Sequence, residues 1–420
     1  MRLLRIILCT LLVLGGLAVV GERPAAAEQS YVDRRVTALP ARALLAGPPA
    51  RLVDPRRQRV AQHFRRYSRI MFVIWAFSQI AAFFYLWSSG YAARLRDLLR
   101  RADLPVAAMR MAYGALLAYA AGLASLPSAL VRYRLDVAYG LTTESTFEWV
   151  RDGFLGVSLD AFLIGAIVAF IFALVDRTRL WWAYGALGLS VLTLVMAFLE
   201  PLTIAPLFNH FAPLPVSSAA YAPLTRLANR AGVVGAPIVV ANYSRRSPTI
   251  AADIAGFGPT KRIVLGDALL DDATLGEVLF LTAREFGHYE HGDDFRLSLF
   301  WTLLFMVCLA LGVLCADRVV FRRDDDPLTR LALVLGFMGL FALAAAPLYN
   351  AYSRNLESRA DAYALALTRN PVSAVRAYVR ITDETLAPLC PARAVRLYFY
   401  NSPPMGTRIA KAEGRHDPCR

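Results

Sequence analysis

One short stretch of the chain carries residue types suited to metal-dependent hydrolysis. Glu285 and His288 stand three residues apart, and Arg284 precedes the glutamate. Two histidines four residues apart on a helix, with a glutamate between them, bind zinc on one face and activate a water molecule. Here the glutamate and the second histidine are present, but Arg284 occupies the place of the first histidine. A bare Glu-x-x-His pattern arises often by chance, so its meaning depends on the rest of the chain.

A second acidic pair lies further along the chain. Glu357 and Asp361 are four residues apart in the stretch that follows the last apolar block. Residues four apart share one helical face, so the spacing predicts a third metal ligand followed by a side chain that orients the ligands. His291 lies three residues after His288 and is a candidate substitute ligand, although recruiting it would move a metal along the helix, away from both glutamates.

The composition identifies an integral membrane protein. The chain has 420 residues, of which 57% are hydrophobic and 19% are charged, against about 45–50% and about 25% in soluble domains. The excess is concentrated in six blocks long enough to cross a bilayer, which takes ~20 residues. These blocks run over residues 70–87, 109–131, 154–175, 180–199, 297–315 and 331–349. The net charge of +14 comes from arginines that flank the blocks, which favours membrane topology and predicts no nucleic-acid partner.

The blocks divide the chain into segments. Residues 1–27 read as a signal peptide or a first transmembrane span, and the segments that follow are an N-terminal extramembrane segment (28–69), a region of four spans (70–199), the first part of a folded unit (200–296), two spans (297–349) and its second part (350–420). Within the unit we expect strands over 236–241 and 262–265, a helix over 274–291 and a helix from 350 through 367. A unit divided by a pair of spans must assemble at one membrane face.

The orientation follows from charge and cysteine. If Met1 is cytoplasmic, the arginine-rich loops 91–106 and 316–330 are cytoplasmic too, and the folded unit lies outside. The arginines of 21–69 oppose this placement. We predict a bacterial inner-membrane protein with the unit on the periplasmic side. There Cys390 and Cys419 could form a disulfide, whereas two free thiols are the alternative.

The two motifs together resemble those of the type I CAAX prenyl protease family, integral-membrane zinc metallopeptidases with an HExxH helix and an SRxxExxAD helix. Further segments match the family in order. They are Pro206–Asn209, Ser244–Ser247, Gly256–Gly258, Lys261–Leu265, and Pro403–Pro404 with Arg408–Ile409. The resemblance implies a mainly α fold: a helical transmembrane barrel of about six or seven spans with a zincin-like α+β unit at one face. It also implies a water-filled chamber, a zinc cofactor, and peptide or membrane-protein substrates within membrane lipids.

The resemblance also assigns roles to the site residues. It makes Glu285 the general base, His288 and Glu357 zinc ligands, Asp361 the outer partner of a ligand, and Arg408 the tail arginine. Three positions depart from the pattern. Arg284 replaces a zinc histidine, Ser402 replaces a histidine that stabilises the oxyanion, and Ala251 replaces an asparagine on the strand that holds the substrate.

The departures predict that zinc is lost or weakly bound. A guanidinium keeps its proton and has no acceptor, so Arg284 cannot be a ligand. We expect it to replace the metal electrostatically by pairing with Glu357; in the alternative, it extends to solvent. Asp361 is expected to pair with Arg284 or Arg354. The sequence therefore predicts a pseudopeptidase that still binds peptides or lipids. The alternative is an active zinc endopeptidase with a substituted ligand set.

Overall fold

The computed structural model describes residues 25–320 and 326–419. Most of the predicted signal segment, residues 1–24, lies outside the described residues. In chain order the described helices are α1 (Ala25–Thr37), α2 (Ala41–Ala46), α3 (Pro49–Leu52), α4 (Pro55–Ser88), α5 (Tyr91–Arg101), α6 (Val106–Ala138), α7 (Thr146–Val175), α8 (Trp181–Thr203), α9 (Ala205–Phe208), α10 (Tyr221–Arg230), α11 (Asp267–Asp272), α12 (Leu275–His291), α13 (Asp293–Val320), α14 (Pro327–Thr368), α15 (Pro371–Glu384), α16 (Arg393–Phe399) and α17 (Met405–Ala412). The strands are β1 (Phe211–Pro213), β2 (Ile238–Ala241), β3 (Ala252–Ala255) and β4 (Arg262–Gly266). The mainly helical membrane fold is confirmed.

Six described helices, α4, α6, α7, α8, α13 and α14, are long and apolar enough to cross a membrane. Each covers one predicted apolar block, apart from Leu180 just before α8, and extends past it. Helix α14 continues to Thr368 without a break, so the last span and the helix that carries Glu357 are one element. A helix satisfies its own backbone hydrogen bonds, so it can leave the hydrocarbon for water without interruption.

The spans alternate in direction and so place the remaining elements at two faces. The connections that follow α4 and α7 lie at one face. At the other face lie the segment before α4, the sheet, α12 and the chain after α14. The divided unit therefore assembles at one membrane face, and the N-terminal segment belongs to it.

The sheet has the strand order β1-β2-β4-β3. Strands β2 and β4 run parallel, and β3 pairs antiparallel with β4, with Ile254 opposite Ile263. The sequence predicted β2 and β4 but not β1 or β3, which have three and four residues. Strand β3 is an edge strand of this sheet, so one of its sides is available for pairing.

Helices α12 and α15 form the centre of the unit. The rings of Phe280 and Tyr378 are buried and meet edge to face, with centroids 5.4 Å apart. Phe286 and Ile409 are also fully buried. These buried contacts hold α12, the helix that carries Glu285 and His288, in the core of the unit.

The N-terminal segment is anchored to this core by charge. Arg380 is fully buried, and its Nε donates to Glu277 Oε1 at 2.9 Å. The same guanidinium pairs with Asp33 of α1. Glu277 also completes a capping box with Thr274 at the start of α12. One buried cation thus joins the N-terminal segment to α12 and α15.

Glu384 makes a second link to the N-terminal segment. Its carboxylate accepts hydrogen bonds from Gln29 Nε2 and from the backbone N–H of Ile250, each at 3.1 Å. Burial raises the pKa of Glu384 to about 8. Since Ile250 immediately precedes the β3 region, Glu384 connects the N-terminal segment to the edge of the sheet.

Glu384→Gln should flatten the dependence of stability on pH. The folded protein holds the Glu384 proton at pH values where the unfolded chain, with a pKa of 4.5, has released it. The contribution of Glu384 to stability is therefore greatest below pH 4.5 and falls as pH rises toward about 8. We expect the variant to lose less stability than the parent over this range, as measured by thermal unfolding in detergent. The exposed Glu290→Gln is the control, and an unchanged slope in Glu384→Gln would contradict the assignment.

Candidate functional site

The site forms where α12 crosses α14. A Cβ at Gly287 would lie 3.1 Å from the Cα of Ala360, so a glycine is needed for the helices to approach this closely. Residues on either side of Gly287 then face residues on either side of Ala360. The crossing brings Arg284 and His288 of one helix against Glu357 and Asp361 of the other.

Arg284 is surrounded by carboxylates. Its two terminal nitrogens pair with Glu285 and Glu357, and its Nε lies 3.4 Å from Asp361 Oδ1. Only 18% of the Arg284 side chain is exposed. The guanidinium thus turns into the site and does not extend to solvent.

The electrostatics of this cluster are mutually dependent. Burial alone would lower the pKa of Arg284, but the charges of Glu285, Glu357 and Asp361 outweigh it and raise that pKa. Burial raises the pKa of Glu285, and the charge of Arg284 opposes the rise. The arginine therefore stays charged, and it is the main group that favours the ionised form of Glu285.

Asp361 is shared between two arginines. Arg408 donates to it twice, from Nε at 2.9 Å and from a terminal nitrogen at 2.6 Å. The Arg408 guanidinium also lies over the Tyr378 ring, 4.5 Å from its centroid. Arg354, the other expected partner of Asp361, instead donates to the backbone oxygens of Arg396 and Tyr400.

A disulfide supports the helix that carries Arg408. Cys390 and Cys419 form a disulfide. The structure therefore contains the predicted pairing and not the alternative of two free thiols. A Cβ at Gly406 would lie 2.8 Å from the Sγ of Cys419, so the disulfide packs directly on the first turn of α17. Arg408 lies two residues beyond this contact.

His288 is held by a carboxylate on each side. Its Nδ1 lies 2.9 Å from Asp293 Oδ2, and its Nε2 lies 3.6 Å from Glu357 Oε1. Asp293 in turn accepts from Arg359 at 2.5 Å. The ring is thus oriented as the ring of a metal-ligating histidine would be, with one nitrogen toward a carboxylate and the other toward the cavity.

The donor set does not fit zinc. Catalytic zinc needs three protein ligands and an open position, and Arg284 places a permanent cation against Glu357, one of the two remaining ligands. Within residues 25–320 and 326–419, no group of three His, Cys, Asp or Glu side chains is arranged to hold a metal ion. His291 lies against the Tyr363 ring, at 5.8 Å between centroids, and does not line the cavity.

A cavity of about 220 Å³ opens beside the cluster. Its walls include Arg284, Glu285, His288 and Glu357, together with Asp253 and Asp294, which sequence reasoning missed. Asp294 could have been found from the acidic pair Asp293–Asp294 just after α12. No sequence pattern near Asp253 indicates that it would line the cavity. Ser402 is half-buried and does not line this cavity.

Arg284→Met should destabilise the protein strongly. Removing one partner of a buried ion pair costs about 3–5 kcal/mol, because the other charge is left uncompensated. Without the arginine the pKa of Glu285 rises further, so stability should recover as pH falls and Glu285 is protonated. Thermal unfolding between pH 5 and pH 8 measures both effects. The control is Arg230→Met, an exposed arginine of α10, whose loss should cost under about 0.5 kcal/mol. Equal losses in both variants would refute a central role for Arg284.

Comparison with known proteins agrees with this geometry. Residues 222–416 match the profile "Peptidase family M48", and residues 48–210 match "CAAX prenyl protease N-terminal, five membrane helices". A Bacillus subtilis protein described as an uncharacterized metalloprotease, YhfN, is 26% identical over 87% of both chains. A CAAX prenyl protease 1 homolog of Oryza sativa is 26% identical over 66% of this chain and 67% of its own.

The fold has a counterpart among solved structures. The crystal structure of S. mikatae Ste24p matches with a TM-score of 0.73, covering 92% of this chain and 96% of the other at 20% identity. Both family profiles lie in register with the elements described above. Four of the six spans, α4, α6, α7 and α8, fall in the second profile, and α13 and α14 fall in the first, together with α12 of the ion cluster. The chain therefore belongs to the M48 family of membrane metallopeptidases, of the CAAX prenyl protease type.

Proposed function

We propose that this chain is a pseudopeptidase of the M48 family, which binds peptide segments at the family's site without hydrolysing them. The pairing of Arg284 with Glu285 and Glu357 carries the proposal. An arginine in this place supplies the positive charge that these carboxylates need, and it does so without a metal ion.

The remaining site residues do not support hydrolysis. Glu285 is in the position of a general base, but it is paired with Arg284 and has no metal-bound water to activate. Ser402 stands where a histidine would stabilise the oxyanion, and it does not line the cavity. Loss of a single oxyanion donor costs ~100- to 1,000-fold in rate. In this chain that loss accompanies the loss of a zinc-ligand position, Arg284.

Peptide binding is retained by elements that these losses do not touch. Strand β3 is an edge strand of the sheet, and its residues Asp253 and Ile254 form part of the cavity wall. An extended peptide can add to such an edge through main-chain hydrogen bonds, while alternate side chains enter the adjoining cavity. Ala251 lacks the amide expected at its position, but backbone pairing does not require that side chain.

The purified protein should contain almost no zinc. We expect far less than one zinc per chain by elemental analysis after purification without chelators, and no gain when zinc is added.

Arg284→His with Ser402→His restores both family positions, and we expect this variant to bind about one zinc per chain through the introduced helix histidine, His288 and Glu357. Zinc near one per chain in the parent that is lost in His288→Ala would overturn the proposal and favour an active enzyme. A double variant that binds no zinc would show that more than these two positions has been lost.

We also propose that the protein lies in a bacterial inner membrane with the folded unit on the periplasmic side. The face opposite the unit carries arginines in α5 and in the connection after α7, such as Arg100, Arg101 and Arg179, as cytoplasmic loops do. The disulfide lies in the unit, as expected for an oxidising compartment.

Three arginines of the N-terminal segment are engaged within the folded unit and so weigh less against this orientation. Arg35 pairs with Asp383 at 2.6 Å, and Arg57 pairs with Glu28 at 2.5 Å. Arg65 donates to the backbone oxygens of Thr385 and Leu386. Carboxylates compensate the charges of Arg35 and Arg57, and backbone oxygens hold Arg65 against the folded unit, so these three do not act as the topological signals of a free loop.

Alkaline phosphatase fused after the last residue should therefore be active, since the enzyme needs an oxidising compartment to form its disulfides. A fusion after Arg101, in the short helix at the opposite face, should be inactive and serves as the matched control. The reverse pattern would place the unit in the cytoplasm. In that case the pairing of Cys390 with Cys419 should also be absent from the purified protein when its thiols are titrated.

A further inference from the structure

A second cavity lies away from the ion cluster, between α4, α6 and α7. Its volume is about 530 Å³, within the range of ~300–1,000 Å³ typical of small-molecule sites. It lies at the ends of these helices nearest the folded unit, where α6 ends at Ala138 and α7 begins at Thr146. The cavity therefore lies at the boundary between the membrane and water.

One wall of the cavity carries a fixed cation. The Nε of Arg132 donates to both carboxylate oxygens of Asp136, at 3.1 and 2.9 Å, and one terminal nitrogen donates to Ser68. One face of the guanidinium lies over the Phe64 ring, 5.1 Å from its centroid. These contacts hold the group in place but use only part of its five donors, and the others are available to an anion in the cavity.

The loop between α6 and α7 carries a carboxylate, Glu144, to which the described residues donate no hydrogen bond. Glu144 also lines the cavity, and its side chain is only 11% exposed. Among the described residues its carboxylate accepts no hydrogen bond, and its cationic neighbour Arg246 is 4.0 Å away. Burial raises the pKa of Glu144, so a ligand that brings a cation with N–H donors would offset this cost.

Aromatic and apolar side chains complete the cavity. The rings of Tyr133 and Trp149 stack with centroids 4.9 Å apart, as aromatic side chains do at membrane interfaces. Phe72 and Trp75, one and two turns deeper along α4 from Ser68, continue the same wall toward the membrane interior. The cavity is thus polar at its outer end and apolar at its inner end.

We propose that this cavity binds a phospholipid with an ethanolamine headgroup. The phosphate takes the free donors of Arg132, the ammonium donates to Glu144, and the first part of an acyl chain lies along Phe72 and Trp75. A primary ammonium fits better than a quaternary one because the Glu144 carboxylate lacks hydrogen-bond donors, which a quaternary nitrogen cannot supply. A headgroup with only a phosphate charge brings no cation to Glu144.

The test uses the full chain in nanodiscs that contain either phosphatidylethanolamine or phosphatidylglycerol in a phosphatidylcholine background. The lipid retained after extraction into mild detergent is counted per chain by mass spectrometry. We expect about one phosphatidylethanolamine per chain and much less phosphatidylglycerol. Glu144→Gln should weaken retention about tenfold, the factor expected for loss of a charge-assisted hydrogen bond.

The matched control is Glu290→Gln, an exposed carboxylate of α12 that does not line the cavity, and it should retain the lipid as the parent does. Thermal unfolding of each variant checks that its fold is intact. Equal retention of both lipids, unaffected by Glu144→Gln, would mean ordinary boundary lipid and would overturn the proposal. Preferential retention of phosphatidylglycerol would overturn it as well, and so would co-purification of a peptide in place of lipid.

Discussion

The close crossing of α12 and α14 is the constraint on which the rest of the site depends. Gly287 and Ala360 leave so little space between the helices that Glu285, Glu357 and Asp361 share one small volume. Carboxylates buried together cannot all remain ionised without a cation, since desolvation and mutual repulsion both favour protonation. In this chain Arg284 supplies the cation. The close crossing thus requires a positive charge near these carboxylates, and in this chain the guanidinium of Arg284 provides it.

The same logic extends outward through a series of buried ion pairs. Asp361 is held by Arg408, whose helix is braced by the Cys390–Cys419 disulfide. At the other end of α12, Glu277 is held by Arg380. Each pair has a large desolvation cost, so it stabilises little by itself, but removing one member is expensive. Such pairs specify which segments must be neighbours.

Sequence reasoning predicted the spans, the motif helix, two strands and the pairing of Arg284 with a carboxylate, because these depend on local periodicity or on charge at known spacing. It missed β1 and β3, which are too short to show an alternating pattern and form only because β2 and β4 provide partners. It also missed Asp253, which reaches the cavity through the pairing of β3. The position of Arg408 beside Asp361, with Arg354 turned to backbone oxygens, depends on how α17 docks. No local pattern contains that information.

Binding and hydrolysis are separable in this architecture. Hydrolysis depends on interactions that are stronger in the transition state than in the ground state, and in a metallopeptidase these come from the metal and the oxyanion donors. Two of the three departures, Arg284 and Ser402, fall on those positions, and the third, Ala251, changes a side chain that backbone pairing does not require. The proposed peptide binding depends on the edge of β3, which is set by β4, by the link from Glu384 to Ile250 and by the N-terminal segment. These contacts do not involve Arg284. A chain of this architecture can therefore lose the reaction while a separate set of interactions maintains the proposed peptide-binding surface. The pairs of Arg380 with Glu277 and Asp33 belong to that set, because they hold α12 and the N-terminal segment together.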